Sequence, residues 1–173
     1  SISFYRIFIS FLFLTGPITA MSQDNSFFEK TKIQHKINEA RHNFIQGNVK
    51  SALLNYKEAI ALNPSNVKAE YGLAECYYKL QNYKKAKFHA EKAYLADPKL
   101  DDDMLFLLGR TYFRLNEITK AKQKLSQFKE MTKSKSKLKD YGVDLKLAQI
   151  AYAETAKVNE KIVIENMGNI LNS

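Results

Sequence analysis

The sequence predicts an all-α protein, in which about three antiparallel helix pairs stack into a helical solenoid, followed by a capping helix and a short extended C-terminal segment. Two observations support this prediction. In residues 67–98, bulky side chains recur at spacings of three and four, and small residues lie where two helices would cross closely. The same pattern recurs about 34 residues earlier and about 35 residues later. One such pair has little apolar surface, so repeated pairs are expected to pack on one another.

Three matched units follow from this period. Ala52, Ala86 and Ala121 recur at the same place in successive second helices. Pro64 and Pro98 end the first two units, because proline cannot donate a backbone hydrogen bond. The predicted order along the chain is a signal peptide at 1–22, a polar lead-in at 23–32, repeat units at 33–66, 67–100 and 102–135, a capping helix at 136–158, and a linker or strand at 159–173.

The spacing and the small residues resemble the tetratricopeptide repeat, a family whose helix pairs stack into a right-handed solenoid. The residues that carry the resemblance are Ala40, Gly47, Ala52, Tyr56, Ala59 and Pro64 in the first unit, Leu73, Ala74, Tyr77, Ala86, Ala90, Ala93 and Pro98 in the second, and Leu108, Gly109, Tyr112, Ala121, Leu125 and Phe128 in the third. The family's Trp in the first helix is absent, and its places are taken by Lys36, Glu70 and Leu105. The third unit ends in Lys133 instead of proline.

The resemblance implies a binding function, because the first helices of tetratricopeptide pairs line a concave groove. Carried over to this chain, the groove residues are Gln34, Ile37, Arg41, Phe44, Lys68, Tyr71, Glu75, Tyr78, Lys79, Asp103, Phe106, Arg110, Phe113 and Arg114. Aromatic and arginine side chains are favoured at hot spots of protein interfaces. The alternative is that Tyr71, Phe106 and Phe113 pack between repeats. The carboxylate-clamp members of the family need Lys and Asn where this chain has Ile37 and Gly72, so chaperone C-termini are not expected ligands.

The N-terminal residues have the pattern of a secretory signal. Arg6 supplies the cation, residues 7–14 supply the apolar core, and Ala20 and Ser22 are small residues at the positions that a signal peptidase reads. The pattern predicts cleavage before Gln23 and export to the periplasm. The chain begins with serine, so its true start is expected further upstream. A retained membrane anchor is the alternative, although the apolar run is shorter than the roughly 20 residues of a membrane span.

The C-terminal residues predict a strand, because β-branched side chains alternate over residues 161–165. A lone strand needs partners, so this segment is expected to lead into a further domain. It also resembles a phrase of Bacteroidetes-type OmpA-family envelope proteins, in which a signal peptide and tetratricopeptide repeats precede a WD-type β-propeller and a peptidoglycan-binding OmpA-like domain. The matching residues are Val163, Ile164, Glu165, Asn166, Met167, Gly168, Leu171, Asn172 and Ser173. This resemblance implies association with the outer membrane and a role in type IX secretion or gliding machinery.

The composition and motifs do not indicate an enzyme or a nucleic-acid-binding protein. The net charge is +9, but the basic residues are spread along helices without a base-reading motif. The sequence has no phosphate-binding Gly-rich loop and no nucleophile in a recognisable setting. Three histidines lack the Cys or carboxylate neighbours of a metal site and are expected to face solvent. The single cysteine, Cys76, is expected to be buried. No catalytic residue, metal or cofactor is predicted.

The predicted function is therefore a non-enzymatic, periplasmic scaffold for protein–protein interactions. Its expected partner is a protein or peptide of the cell envelope. Peptidoglycan is expected to bind only through a domain beyond these residues, and the mature chain is expected to have no membrane span. Two alternatives remain open at this point. One is a glycan-binding accessory of cell-wall metabolism, and the other is a basic module that docks on anionic membranes and is released by salt.

Overall fold

A computed structural model describes the backbone of residues 16–171 and the side chains of residues 26–156 and 158–160. Within these residues the prediction of an all-α fold is confirmed, since every regular element is a helix. The helices are α1 (Gly16–Ile45), α2 (Val49–Leu62), α3 (Val67–Lys79), α4 (Tyr83–Ala96), α5 (Asp103–Arg114), α6 (Ile118–Met131), α7 (Lys135–Asp140) and α8 (Val143–Leu171). They fall into two compact units, Ser1–Asn66 and Val67–Ser173.

The turns inside the three helix pairs have the same conformation. Gly47, Gln81 and Asn116 each have a positive φ, of 81°, 59° and 60°. The N–H of each donates to the carbonyl three residues earlier, at 3.1, 3.0 and 3.0 Å. The next N–H reaches back five residues, at 2.8, 2.9 and 2.9 Å. These two bonds are the Schellman arrangement that ends a helix with one left-handed residue. The same two backbone hydrogen bonds therefore recur with the 34- to 35-residue period of the sequence.

The second helices also begin alike. Ala52, Ala86 and Ala121 are each the fourth residue of α2, α4 and α6, and each is fully buried. Their N–H groups donate to the residue before the helix at 3.0, 2.9 and 3.0 Å. A larger side chain at these positions has no room, because a fully buried alanine is already in contact on all sides. The three alanines thus occupy equivalent environments, as the repeat requires.

The unit Val67–Ser173 contains two helix pairs and a cap around one core. Helix α3 packs on α4, α5 packs on α6, and α4 packs on α5. Helix α8 packs on α6 and covers the last pair, and Val143 and Ile150 of α8 are fully buried. The core shared by these helices contains Tyr71, Ala74, Ala90, Ala93, Met104, Leu105, Phe106, Leu107, Leu108, Tyr112, Ile118, Ala121, Leu125, Phe128, Val143 and Ile150.

The strand predicted at 161–165 is wrong, because these residues are part of helix α8. Residues 23–32, for which the sequence predicted only a polar lead-in, are part of helix α1. Residues 1–15 of the predicted signal peptide and residues 172–173 lie outside the described residues. The strand does not form because extending an existing helix needs no new nucleus, and a helix satisfies its own backbone groups, whereas a strand needs a partner. The small helix disadvantage of valine and isoleucine does not outweigh this.

The predicted capping helix at 136–158 is also different in outline. It consists of the short helix α7 and the first half of α8, separated by Gly142, which has a φ of 59°. A left-handed residue cannot continue a right-handed helix, so the chain changes direction at this glycine. Helix α8 continues past the predicted end, to Leu171.

Candidate functional site

The unit Val67–Ser173 contains a concave cavity of about 780 Å³. Its walls come from α3 and α5, which are the first helices of their pairs, and from the α7–α8 cap. We call it the α3–α5–α8 cavity. Its lining residues are Tyr71, Glu75, Tyr78, Asp103, Phe106, Leu107, Arg110, Phe113, Arg114, Leu125, Asp140, Tyr141, Lys146 and Gln149.

Helix α5 contributes the largest share of the lining. Asp103, Phe106, Arg110, Phe113 and Arg114 recur at spacings of three and four residues, so they lie on one face of the helix. The opposite side of α5 is held in the core, because residues 104–105 and 107–108 are at most 1% exposed. The core therefore fixes which face of α5 is turned to the cavity.

Asp103 joins α5 to the cap at one edge of the cavity. Its Oδ2 accepts a hydrogen bond from the Tyr141 hydroxyl at 2.9 Å, and its Oδ1 lies 2.5 Å from Nζ of Lys137. The hydrogen bond that Lys137 donates to the Asp103 carboxylate raises the pKa of Lys137 above its usual value. Burial and the bond to Asp103 together raise the pKa of the Tyr141 hydroxyl. The charge of Asp103 is thus engaged within the protein.

Arg110 is held between aromatic rings. Its Cζ lies 4.0 Å from the ring centroid of Tyr78 and 5.2 Å from that of Phe106. Lys146 of α8 approaches the same Phe106 ring, with Nζ at 5.7 Å from the centroid. Stacking of this kind orients a guanidinium group while leaving its N–H donors available in the ring plane. The cavity therefore contains cationic groups in a fixed aromatic frame.

The predicted groove residues divide into three groups in the structure. The members on α3 and α5 that the cavity brings together are Tyr71, Glu75, Tyr78, Asp103, Phe106, Arg110, Phe113 and Arg114. Lys68 and Lys79 lie near the two ends of α3, exposed, and do not line the cavity. The other four lie on α1 in the unit Ser1–Asn66, where Ile37 is buried, Phe44 is half-buried, and Gln34 and Arg41 are exposed.

The alternative, in which the aromatic side chains pack between repeats, holds for two of the three residues. Tyr71 and Phe106 are each 7% exposed and belong to the core, so they form the wall of the cavity more than a contact surface. Phe113 is half-buried and packs against the core from the cavity side. On α5, the side chains left to contact a ligand are therefore Arg110, Phe113 and Arg114.

The cap contributes lining residues that the sequence did not predict. Tyr141, Lys146 and Gln149 line the cavity from a segment that the sequence predicted only as a cover. A signal was present, because Lys146 and Gln149 flank the buried positions Val143 and Ile150 on α8 at helical spacing. That spacing alone does not show which face of α8 meets α5, so it could not place these residues in the cavity.

A second polar cluster lies away from the cavity, between α3 and α4. Glu70 is 2% exposed; its carboxylate lies 2.6 Å from Nδ1 of His89 and 2.5 Å from Nζ of Lys92. His89 also stacks on Tyr77, with ring centroids 5.3 Å apart. The expectation that His89 faces solvent is therefore wrong, because a buried carboxylate needs hydrogen-bond donors and His89 supplies one.

Cys76 is fully buried, as predicted, and burial raises the pKa of its thiol to about 12. Among the described residues, no group of three or more His, Cys, Asp or Glu side chains is placed to hold a metal ion. None of the helices in the described part of the chain is long and apolar enough to span a membrane.

Comparison with known proteins agrees with the repeat pattern. Residues 44–99 and residues 103–131 match two models of the tetratricopeptide repeat. The comparison with curated proteins gave no match.

Several solved structures have a similar fold. The first repeat domain of Spaghetti (RPAP3), bound to an HSP90 peptide, is 18% identical, with a TM-score of 0.63 over 72% of this chain and 94% of that chain. The Yersinia enterocolitica type III secretion chaperone SycD, in complex with a peptide of the translocator YopD, is 17% identical, with a TM-score of 0.61 over 72% and 95%. YrrB, described as a repeat protein with an unusual peptide-binding site, is 24% identical, with a TM-score of 0.60 over 69% and 58%.

At these identities the solved structures establish the fold alone. The matched residues cover the second to sixth helices, α2 to α6, and the hydrogen bonds of the turns repeat with the same period. The chain therefore contains tetratricopeptide repeats.

Proposed function

We propose that this protein is a non-enzymatic scaffold that holds a peptide segment of a partner protein in the α3–α5–α8 cavity. The observation that carries the proposal is the grouping of Tyr78, Arg110, Phe113 and Arg114 around one cavity on the first-helix side of the pairs. Aromatic and arginine side chains bury large areas and make directed hydrogen bonds, which is why they dominate protein interfaces. The peptides described for Spaghetti and SycD support a peptide as ligand.

The exposed faces of this unit differ in a way that favours the cavity as the binding face. The outer side of α4 also carries an exposed aromatic residue, Phe88, which is 61% exposed. Phe88, however, lines a smaller depression of about 460 Å³ between α4 and the turn that joins α5 to α6, whereas Phe113 lies at the edge of the larger cavity, with two arginines on the same helix. A partner segment in the cavity meets side chains of α3, α5 and α8, while one on Phe88 meets α4 and only the turn residues Leu115 and Glu117 besides.

We also propose that the protein is exported to the periplasm and is the repeat part of an OmpA-family envelope protein associated with the outer membrane, in type IX secretion or gliding machinery. The support for this comes from the sequence: the cation, apolar core and small residues of the N-terminal segment, and the phrase at residues 163–173. Fractionation of cells that express the tagged full-length protein tests the location. Recovery from the cytoplasmic fraction without processing would contradict the proposal.

The binding proposal is tested by pull-down from an envelope extract with the full chain as bait. Wild type should retain a protein that the double variant Arg110→Ala, Phe113→Ala loses. Phe88→Ala is the matched control, since it removes an aromatic side chain of the same size from the other face and should leave binding unchanged. Equal binding by all three baits would show that the cavity is not the binding face.

The same baits separate the two alternatives. Capture of purified peptidoglycan fragments, unaffected by the double variant, would favour the glycan-binding accessory. Co-sedimentation with anionic lipid vesicles that is lost on adding salt, and is equal for all baits, would favour the membrane-docking module. The scaffold proposal predicts neither result.

A further inference from the structure

Arg110 carries a buried donor that none of the described residues satisfies. Its Nε is buried and has no hydrogen-bond partner among the described residues. A buried N–H without an acceptor is unfavourable, and most such groups in folded proteins are paired. The rings of Tyr78 and Phe106 hold the guanidinium in place, so the side chain cannot readily turn towards solvent to recover this bond. The cavity is thus missing an acceptor beside Arg110.

The cationic groups around this point also lack anionic partners. Within the described part of the chain, no carboxylate lies within ion-pair distance of Arg110, Arg114 or Lys146. Asp103, on the same face of α5, is already bound by Lys137 and by the Tyr141 hydroxyl. Arg110 and Lys146 both lie against the Phe106 ring, from α5 and from α8. The missing acceptor is therefore best supplied by an anion.

On this basis, and resting on the proposed function, we propose that Arg110 binds the side-chain carboxylate of an Asp or Glu within the bound peptide, with Lys146 as a second cation. A guanidinium fork matches a carboxylate geometrically, and charge-assisted bonds of this type are the strong ones. The acidic residue is internal to the peptide. Lining residues continue on both sides of Arg110 along α5, to Phe106 in one direction and to Phe113 in the other, so a peptide lying along α5 extends past Arg110 both ways.

The test uses the full chain and a positional library of short peptides with amidated C-termini, in which one position at a time is fixed as Asp, Glu, Asn or Gln. The amide removes the terminal carboxylate, so any acidic preference comes from a side chain. Binding is measured by fluorescence anisotropy. We expect at least one position where Asp or Glu binds roughly tenfold or more tightly than its amide isostere, which corresponds to about 1.4 kcal/mol. In Arg110→Gln this preference should disappear, and Arg110→Lys should retain only part of it.

Two controls separate loss of recognition from loss of folding. Lys84→Gln removes an exposed cation from α4 and should keep the full acidic preference. Lys146→Gln should reduce the preference less than Arg110→Gln does. Thermal melting of each variant shows whether it is folded, and only the ratio of acidic to amide peptides is compared, which a uniform loss of active protein does not change.

The outcomes are distinct for the two proposals. Peptides that bind with no preference for Asp or Glu, equally to wild type and Arg110→Gln, would overturn the carboxylate proposal and leave the peptide-binding function standing. A preference seen only with free C-termini would also overturn it, in favour of a terminal carboxylate. Failure of the whole library to bind would overturn both the proposed function and the inference that rests on it.

Discussion

Gly109 permits a close crossing of α5 and α6, and replacing it tests how the third pair is packed. A Cβ atom at this position would lie 2.6 Å from Cγ and 2.8 Å from Cδ2 of Leu125, and 3.2 Å from the Leu125 backbone nitrogen. The first two distances are shorter than any real carbon–carbon contact. Because Cγ is a branch point and the backbone lies just behind it, Leu125 cannot simply swing away. Gly109→Ala must therefore push α5 and α6 apart or force Leu125 from its rotamer.

The size of the effect follows from two opposing terms. Alanine is favoured over glycine inside a helix by about 1 kcal/mol. Overpacking a well-packed core costs about 1–3 kcal/mol. Gly109→Ala alone should thus destabilise the protein modestly, by up to about 2 kcal/mol. In the background of Leu125→Ala, which itself costs about 2–5 kcal/mol, the two side-chain atoms that lie closest to the new Cβ are gone. There the same substitution should stabilise the protein by about 1 kcal/mol.

The assay is urea unfolding followed by circular dichroism for wild type, both single variants and the double variant. The predicted coupling free energy is about 1–3 kcal/mol, with a change of sign for Gly109→Ala between the two backgrounds. Ala74→Gly, at the matched position of α3, is the control and should cost about 1 kcal/mol. A coupling below about 0.5 kcal/mol would refute the crossing geometry, because independent sites add to within that amount.

Three further predictions concern other features of the repeats. Gln81→Gly should raise the free energy of unfolding by about 1 kcal/mol. Gln81 has a left-handed φ that costs an L-residue about 1–2 kcal/mol, and glycine adopts it freely. The matched change Gly47→Ala should lower the free energy of unfolding, and urea unfolding measures both variants. Glu70→Gln should destabilise by about 1–3 kcal/mol, since it weakens the bonds from His89 and Lys92 to a buried acceptor; an unchanged unfolding midpoint would argue against that cluster. Cys76 should resist thiol reagents at about pH 8.5, where an ordinary thiol is half ionised, because its pKa is raised to about 12, and should react quickly once the protein is unfolded in urea.

The helix pairs could be predicted from sequence because their determinants are local and repeated. A small residue at a fixed place in each second helix allows only one depth of crossing, and Ala52, Ala86 and Ala121 are all fully buried. The left-handed turn residues were harder to predict from sequence, because only one of the three, Gly47, is a glycine. Gln81 and Asn116 adopt the same conformation because the helices on either side of the turn impose it.

The charged residues that replace the family tryptophan are explained by ion pairs between the two helices of each pair. Lys36 lies 2.8 Å from Glu58 in the unit Ser1–Asn66, and Glu70 lies 2.5 Å from Lys92 in the unit Val67–Ser173. These residues are separated by the repeat period, so the same two positions carry an ion pair of opposite sense. A single-position comparison with the family shows only the departure, whereas the compensating charge lies on the other helix of the pair.

The chain ends and part of the site could not be predicted because their outcome depends on tertiary context. Residues 161–165 have strand-like alternation, yet they extend a helix that is already anchored through Val143 and Ile150. Likewise, Tyr141 and Lys146 enter the α3–α5–α8 cavity only because Gly142 turns the chain between α7 and α8. Sequence period identifies which helices pair, but not how a single unrepeated helix lies across them.

The most direct test of the account is site-specific photo-crosslinking of the partner. A photoreactive phenylalanine analogue is placed at Phe113, at the cavity, or at Phe88, on the exposed outer side of α4. Each full-length variant is then irradiated in envelope extract. If the cavity is the binding face, a partner is crosslinked through position 113 and not through position 88, and the crosslink is lost on adding Arg110→Ala. A partner crosslinked equally through position 88, or through position 113 regardless of Arg110, would contradict it.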